Sequence, residues 1–136
     1  MAGSSLYQTT PVGGPTGQPD YLNAVVALQP EAPTPEIVLA QLLGLESQRG
    51  RKRHERWGAR TLDLDLLTFG QEVRESDHLT LPHPRMMARA FVLAPLCEVV
   101  LEVAPDWRHP VTEEGACDVL AHLSGEGVVR TDLTWL

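Results

Sequence analysis

The sequence predicts an α+β fold, with helices packed on a largely antiparallel sheet. Three observations carry that expectation. Strand-like and helix-like segments are mixed, without the regular alternation that builds a parallel sheet. Residues 34–48 and 113–123 place apolar side chains at helical spacing. Residues 61–69 instead alternate apolar and polar side chains at the period of a strand. The length of 136 residues with 43% apolar content suits one domain, 1–136, with a core of its own.

The elements follow in order. Residues 4–9 form a short strand pattern, and residues 10–19 a Gly/Pro-rich loop too long for a tight turn. Residues 21–28 (YLNAVVAL) read as the next strand, with Asn23 its one polar interior residue. Residues 34–48 read as the clearest helix. Thr34 is an N-cap, Pro35 fits the first helical position, Val38, Leu39, Leu42 and Leu45 make the apolar stripe, and Gly50 is a stop. Glu46 sits badly for the helix dipole, which implies a partner, with a basic residue just beyond as the natural choice. A basic loop spans 51–60 and carries Trp57; the strand over 61–69 follows, then a turn at Gly70–Gln71 and a return strand near 72–74. His83 lies between Pro82 and Pro84, which restrain its backbone. Residues 86–92 suit a helix that Pro95 interrupts or restarts, and Arg85 and Arg89 are spaced to share a face. Residues 113–123 are a second amphipathic helix, and 128–136 a final strand.

Composition narrows the function. Net charge is −7, which excludes general nucleic-acid binding. No apolar run reaches membrane-spanning length and no signal-peptide core opens the chain, so a cytoplasmic protein is expected. Cys97 and Cys117 lack metal-ligand spacing and read as small buried residues in a reducing compartment. Against the acidic background, six of the eleven basic residues fall between Arg49 and Arg60. Such a concentration points to a local anionic ligand, or else to a solvated surface loop.

The stretch ERWGARTLDLDLLTFG organises the rest. On a strand, Thr61, Asp63 and Asp65 share one face and Leu62, Leu64 and Leu66 the other, with the carboxylates about 7 Å apart. Two adjacent aspartates repel unless something positive lies between them. Mg²⁺ is a natural partner, since it takes one or two carboxylates together with substrate phosphates; a solvated acidic face is the plainer alternative. Phosphoryl-type transfer needs positioning, metal ions and arginines where charge develops. Asp63 and Asp65, the basic loop, His83 and Arg89 supply that combination. Tyr21, Asn23, Trp57 and Phe91 supply a flat slot with a hydrogen-bonding edge, unless these aromatics are core.

The run RWGARTLDLDLLTFG, the downstream LTLPHPRMMARAFVLAPL and the earlier SSLYQTTPVGGPTGQPDYLNAVVAL together resemble the 6-hydroxymethyl-7,8-dihydropterin pyrophosphokinases of folate biosynthesis. The resemblance implies a ferredoxin-like sandwich and transfer of the β,γ-pyrophosphate of ATP to the pterin hydroxymethyl with two Mg²⁺. It implies that Asp63 and Asp65 hold metal and that one of them lies near the attacking hydroxyl. It implies that Arg51, Arg53 and Arg60 engage phosphates from a mobile loop, Arg51 and Arg60 among the catalytic residues. ATP-binding residues would further include Leu66, Thr80, His83 and Arg89. Thr9, Thr10, Val12, Tyr21, Asn23, Trp57 and Phe91 would line the pterin side. Lys52, His54 and Arg49 take no role from the family. A monomer is implied, with pterin and ATP as its partners and no nucleic acid or membrane.

One departure stands out. The family's first strand, its Gly-Ser-Asn-Leu-Gly-type turn and its first helix have no counterpart in this sequence. A misassigned start, with Met1-Ala2-Gly3 internal to the first crossover, is the favoured explanation. A shortened protein that completes its sheet by dimerising and a decayed remnant are the others. The functional alternatives are therefore a truncated, inactive pterin- or nucleotide-binding remnant and, apart from the resemblance, a generic Mg²⁺–nucleotide phosphotransferase.

Overall fold

The computed structural model describes residues 1–10, 20–31, 33–49 and 62–133. In chain order its elements are β1 (Ala2–Gly3), β2 (Tyr7–Thr9), β3 (Tyr21–Asn23), β4 (Val26–Ala27), α1 (Pro35–Arg49), β5 (Arg74–Glu75), β6 (Thr80–Leu81), a 3₁₀ turn (Met86–Ala88), α2 (Ala90–Val103), α3 (Ala116–Leu120) and β7 (Val128–Arg130). Every strand pair among the described residues is antiparallel, which with the helices makes the α+β class expected from the sequence. The pairs form three small sheets. The chain divides into two compact units, Met1–Gln29 with Pro84–Leu136, and Pro30–His83. No helix among the described residues is long and apolar enough to cross a membrane.

In the first unit, β2 is the centre of a three-stranded sheet ordered β3-β2-β7. Tyr7 lies opposite Asn23 and Arg130, and Thr9 opposite Tyr21 and Val128. Directly opposed residues share a face, so these six side chains occupy one face and Gln8, Leu22 and Val129 the other. The strand expected over 21–28 is split in two, since β3 pairs with β2 whereas β4 pairs with β1. Ser4 makes the break. Its N–H donates to the Val25 carbonyl at 2.9 Å, and its hydroxyl accepts the Val25 N–H at 3.0 Å.

The apolar run AFVLAPLCEVVLEV forms α2 and buries Leu93, Pro95, Leu96, Val99 and Val100. Pro95 does not interrupt the helix; it lies inside it, its ring fully buried. The bond lost at its missing N–H is offset by that burial. Arg85 and Arg89 flank the 3₁₀ turn, one at each end, and so are not neighbours on a single helix face.

The helix expected over 113–123 is shortened to α3. Glu113 has φ of 62°, a left-handed conformation incompatible with a helix running through it. Residues 109–114 instead fold around buried His109. Its Nδ1 accepts the N–H groups of Val111 and Thr112, both at 3.1 Å, and its backbone N–H donates to the Glu114 carbonyl at 2.9 Å. A disulfide between Cys97 and Cys117 joins α2 to α3. The expectation of two free buried thiols is thereby corrected. The cysteines sit 20 residues apart, and their Cα atoms approach to 5.0 Å, within bonding range.

In the second unit, Thr34 caps α1 as expected, its hydroxyl accepting the Ile37 N–H at 3.4 Å. Pro35, Val38 and Glu46 are buried and Leu39 and Leu42 half-buried. Leu45 was expected inward but is exposed, and Glu46 takes the inner position one residue on. The return strand is realised as β5, paired with β6 in a hairpin that Ser76 closes through its bonds to Leu79. The strand expected over 61–69 is not formed among the described residues. Residues 62–69 join no ladder. The Leu64 amide is taken by a side chain, and the Leu67 carbonyl accepts the N–H of His83 at 2.8 Å. Gly70, at φ of 57°, turns the chain after this segment.

Candidate active site

The sequence-predicted residues divide between the two units. Thr9, Thr10, Tyr21, Asn23, Arg89 and Phe91 belong to the first, and Asp63, Asp65, Leu66, Thr80 and His83 to the second. Val12, Arg51, Arg53, Trp57 and Arg60 lie outside the described residues.

In the second unit the alternation read from sequence survives as burial. Asp63 and Asp65 are exposed, while Leu62, Leu64 and Leu66 are half-buried. That is the pattern of an extended chain with one face inward, even without a ladder. What holds it is buried Glu46, whose Oε2 accepts the Leu64 N–H at 2.6 Å. The partner that the described residues show for Glu46 is a backbone amide of the carboxylate segment; the basic residues just beyond α1, where the expected partner falls, lie outside the described residues. The peptide between the two aspartates is anchored, and both residues are exposed. No group of three or more metal-ligating side chains exists among the described residues. Two exposed carboxylates offering only oxygen nevertheless fit a hard cation that completes its shell with phosphate oxygens and water. His83, half-buried after Pro82, is tied to this segment by its bond to Leu67. Thr80 is exposed on β6.

In the first unit Asn23 and Thr9 meet directly. The Asn23 Nδ2–H donates to Thr9 Oγ1 at 3.1 Å, fixing the side-chain amide on the sheet face it shares with Tyr21. Tyr21 is exposed rather than core. The Thr10 N–H donates to the Gly127 carbonyl at 2.8 Å, which holds the strand end. Arg89 occupies the N-cap of α2, and its guanidinium carbon lies 5.5 Å from the centre of the Phe91 ring. A cation over an aromatic face restrains both groups. The sequence had given these two to different ligands; the structure makes them neighbours.

The residue that sequence reasoning missed is Glu98. Its carboxylate accepts the Ser5 N–H at 2.6 Å, the Ser5 hydroxyl at 3.2 Å and the Tyr7 hydroxyl at 2.9 Å, and lies 3.8 Å from the Arg130 guanidinium. Burial pushes its pKa up, but the Ser5 amide, the Tyr7 hydroxyl and Arg130 outweigh this and hold it below the usual carboxylate range. Burial and the Glu98 carboxylate together push the Tyr7 phenol up to about 12. The signal was in the sequence, because Glu98 is the first charge met in α2 after an apolar run of eight residues.

Comparison with known proteins shows the family. Residues 1–101 match the model of the 7,8-dihydro-6-hydroxymethylpterin-pyrophosphokinase family. A Synechocystis protein named 2-amino-4-hydroxy-6-hydroxymethyldihydropteridine pyrophosphokinase is 48% identical over 107 residues, or 79% of this chain. Proteins of the same name from Haemophilus influenzae and Pseudomonas aeruginosa are each 42% identical, over 81% and 86% of this chain. The chain spans about half the length (51%) of the Synechocystis relative, 68% of the Haemophilus one and 72% of the Pseudomonas one. With the family model matched over most of its length, the chain belongs to the 7,8-dihydro-6-hydroxymethylpterin-pyrophosphokinase family.

Proposed function

We propose that this chain transfers the β,γ-pyrophosphoryl group of ATP to the hydroxymethyl oxygen of 6-hydroxymethyl-7,8-dihydropterin, releasing AMP, as a step of folate biosynthesis in the cytoplasm. The observation that carries the reading is the exposed pair Asp63 and Asp65, anchored between them by Glu46. Family membership supplies the reaction class.

In this reading the pterin oxygen attacks the β-phosphorus. The bond from that phosphorus to the α-phosphate oxygen breaks, AMP departs and the hydroxyl proton is lost. Asp63 and Asp65 would hold two Mg²⁺ ions, which when bound would neutralise charge on the transferred group. The carboxylate of one of them lies near the attacking hydroxyl and takes its proton. Arg51, Arg53 and Arg60 of the basic segment engage the phosphates, and His83, Arg89, Thr80 and Leu66 serve the nucleotide. Asn23 reads the edge of the pterin, whose flat faces meet Phe91 and Trp57; Tyr21, Thr9, Thr10 and Val12 complete that side. The enzyme works as a monomer on these two small molecules.

The test is AMP release from ATP by the purified chain with Mg²⁺, with and without the hydroxymethyl-dihydropterin. Release that requires the pterin is expected. Folded protein that binds the pterin but releases no AMP would instead make the chain a binding remnant.

A further inference from the structure

We infer that Glu98 is a positioning residue for pterin recognition: it fixes the α2 face bearing Phe91 against the sheet face bearing Asn23. The inference rests on the pterin reading of Asn23 and Phe91 given above, and all the geometry lies in the first unit.

Phe91 and Glu98 are seven residues apart on α2, two helical turns, so they project from the same face about 10 Å apart. Glu98 reaches Tyr7 on β2 at 2.9 Å and Arg130 on β7 at 3.8 Å. It also holds Ser5, just before β2, at 2.6 Å and 3.2 Å. Tyr7 is directly opposite Asn23, and Asn23 is bonded in turn to Thr9, two residues along β2 on the same face. The helix wall and the sheet wall are therefore pinned to each other by one carboxylate, at the sheet position adjoining Asn23.

The surrounding chemistry argues for registry more than for stability. The apolar part of α2 already buries five side chains without help from Glu98. A half-buried charge within such a run is weak stabilisation in itself, because desolvation opposes the attraction. What it does supply is direction. Three hydrogen bonds and the Arg130 guanidinium converge on two oxygens, and a helix that slides or rolls on the sheet breaks them together.

The experiment is equilibrium titration of the intact chain with hydroxymethyl-dihydropterin in the presence of Mg²⁺ and α,β-methylene-ATP, alongside titration with α,β-methylene-ATP alone. Wild type, Glu98→Gln, Tyr7→Phe and Asn23→Ala are compared. Glutamine keeps the size of the side chain but turns an amide toward one of the donors. Glu98→Gln is expected to weaken pterin binding roughly tenfold, with nucleotide affinity within about twofold of wild type. Tyr7→Phe moves the pterin constant in the same direction by less, and decides the matter if the Gln variant does not fold. Equal losses for both ligands mean a merely structural role, and unchanged pterin affinity means no role; either overturns the inference. An Asn23→Ala variant with unaltered pterin affinity would instead remove the pterin reading of this face. An effect at Asn23 without one at Glu98 overturns the positioning role alone.

Discussion

The carboxylate of Glu46 accepts the backbone N–H of Leu64 at 2.6 Å, so a buried acid on α1 holds the peptide between the two exposed aspartates. Glu46→Ala leaves that amide without its acceptor and is expected to cost about 1–3 kcal/mol of stability. Turnover should fall by more than the unfolded fraction explains, because the carboxylate pair loses its anchor. Glu46→Gln keeps an acceptor oxygen and should lie between. Urea unfolding together with steady-state AMP release checks this. A stable Ala variant with wild-type turnover would detach Glu46 from the site.

Asp63→Ala and Asp65→Ala should each abolish turnover and Mg²⁺-dependent nucleotide binding. Both side chains are exposed, so the fold should tolerate the change within about 0.5 kcal/mol. Nucleotide titration with and without Mg²⁺ separates metal loss from unfolding. Wild-type rates in Asp63→Ala contradict the metal assignment.

Arg60→Ala should slow transfer much more than it weakens pterin binding, since a guanidinium on the phosphates acts where charge develops. Single-turnover rates and pterin titration report the two quantities separately. Equal losses in both would contradict a phosphate role.

His109 makes acid stability a local matter. Burial lowers its pKa from the ordinary 6.5, the charge of Glu114 opposing this in part, while its Nδ1 accepts two backbone N–H groups. The folded state therefore binds the proton less readily than the unfolded chain. The His109 contribution is complete above pH of about 6.5 and is lost as pH falls through the lowered value. His109→Asn keeps an acceptor but has no titrating ring. Its unfolding free energy should decline less steeply than wild type below pH of about 6.5. Parallel pH profiles of urea unfolding for the two proteins would contradict the assignment.

The Cys97–Cys117 bond closes a short loop between α2 and α3, with cysteines 20 residues apart. On the chain-entropy model a loop of that length is worth about 3 kcal/mol. Alkylation of unfolded, unreduced protein should add no mass, and two adducts should appear after reduction, with a lower melting temperature. Two adducts before reduction would show free thiols.

Local chemistry was legible in the sequence and long-range pairing was not. Thr34 and Pro35 announced α1 because a cap and a first-turn proline act within one helical turn. The Asp/Leu alternation of residues 62–66 was legible as burial, but it could not show that the segment would lack a ladder partner. A ladder depends on what lies alongside. The stripe of α1 was read one residue off at Leu45, because what occupies the inner face at that level is an acid whose partner is an amide 18 residues away. The second amphipathic pattern was real, but left-handed Glu113 and the turn around His109 start α3 later. In the site, Asn23 was noticed as a misfit in a strand, while its partner Thr9 sits across a ladder. Glu98 was passed over because its partners Ser5 and Tyr7 are more than 90 residues away.

The central claim is that both the β and γ phosphoryl groups move together. The direct measurement is the fate of ATP labelled at the β-phosphorus, incubated with the purified chain, Mg²⁺ and hydroxymethyl-dihydropterin. The account predicts that the label appears in the pterin product, one equivalent for each AMP formed. Label retained in ADP, with only the γ group transferred to the pterin, would contradict it and make this an ordinary phosphotransferase.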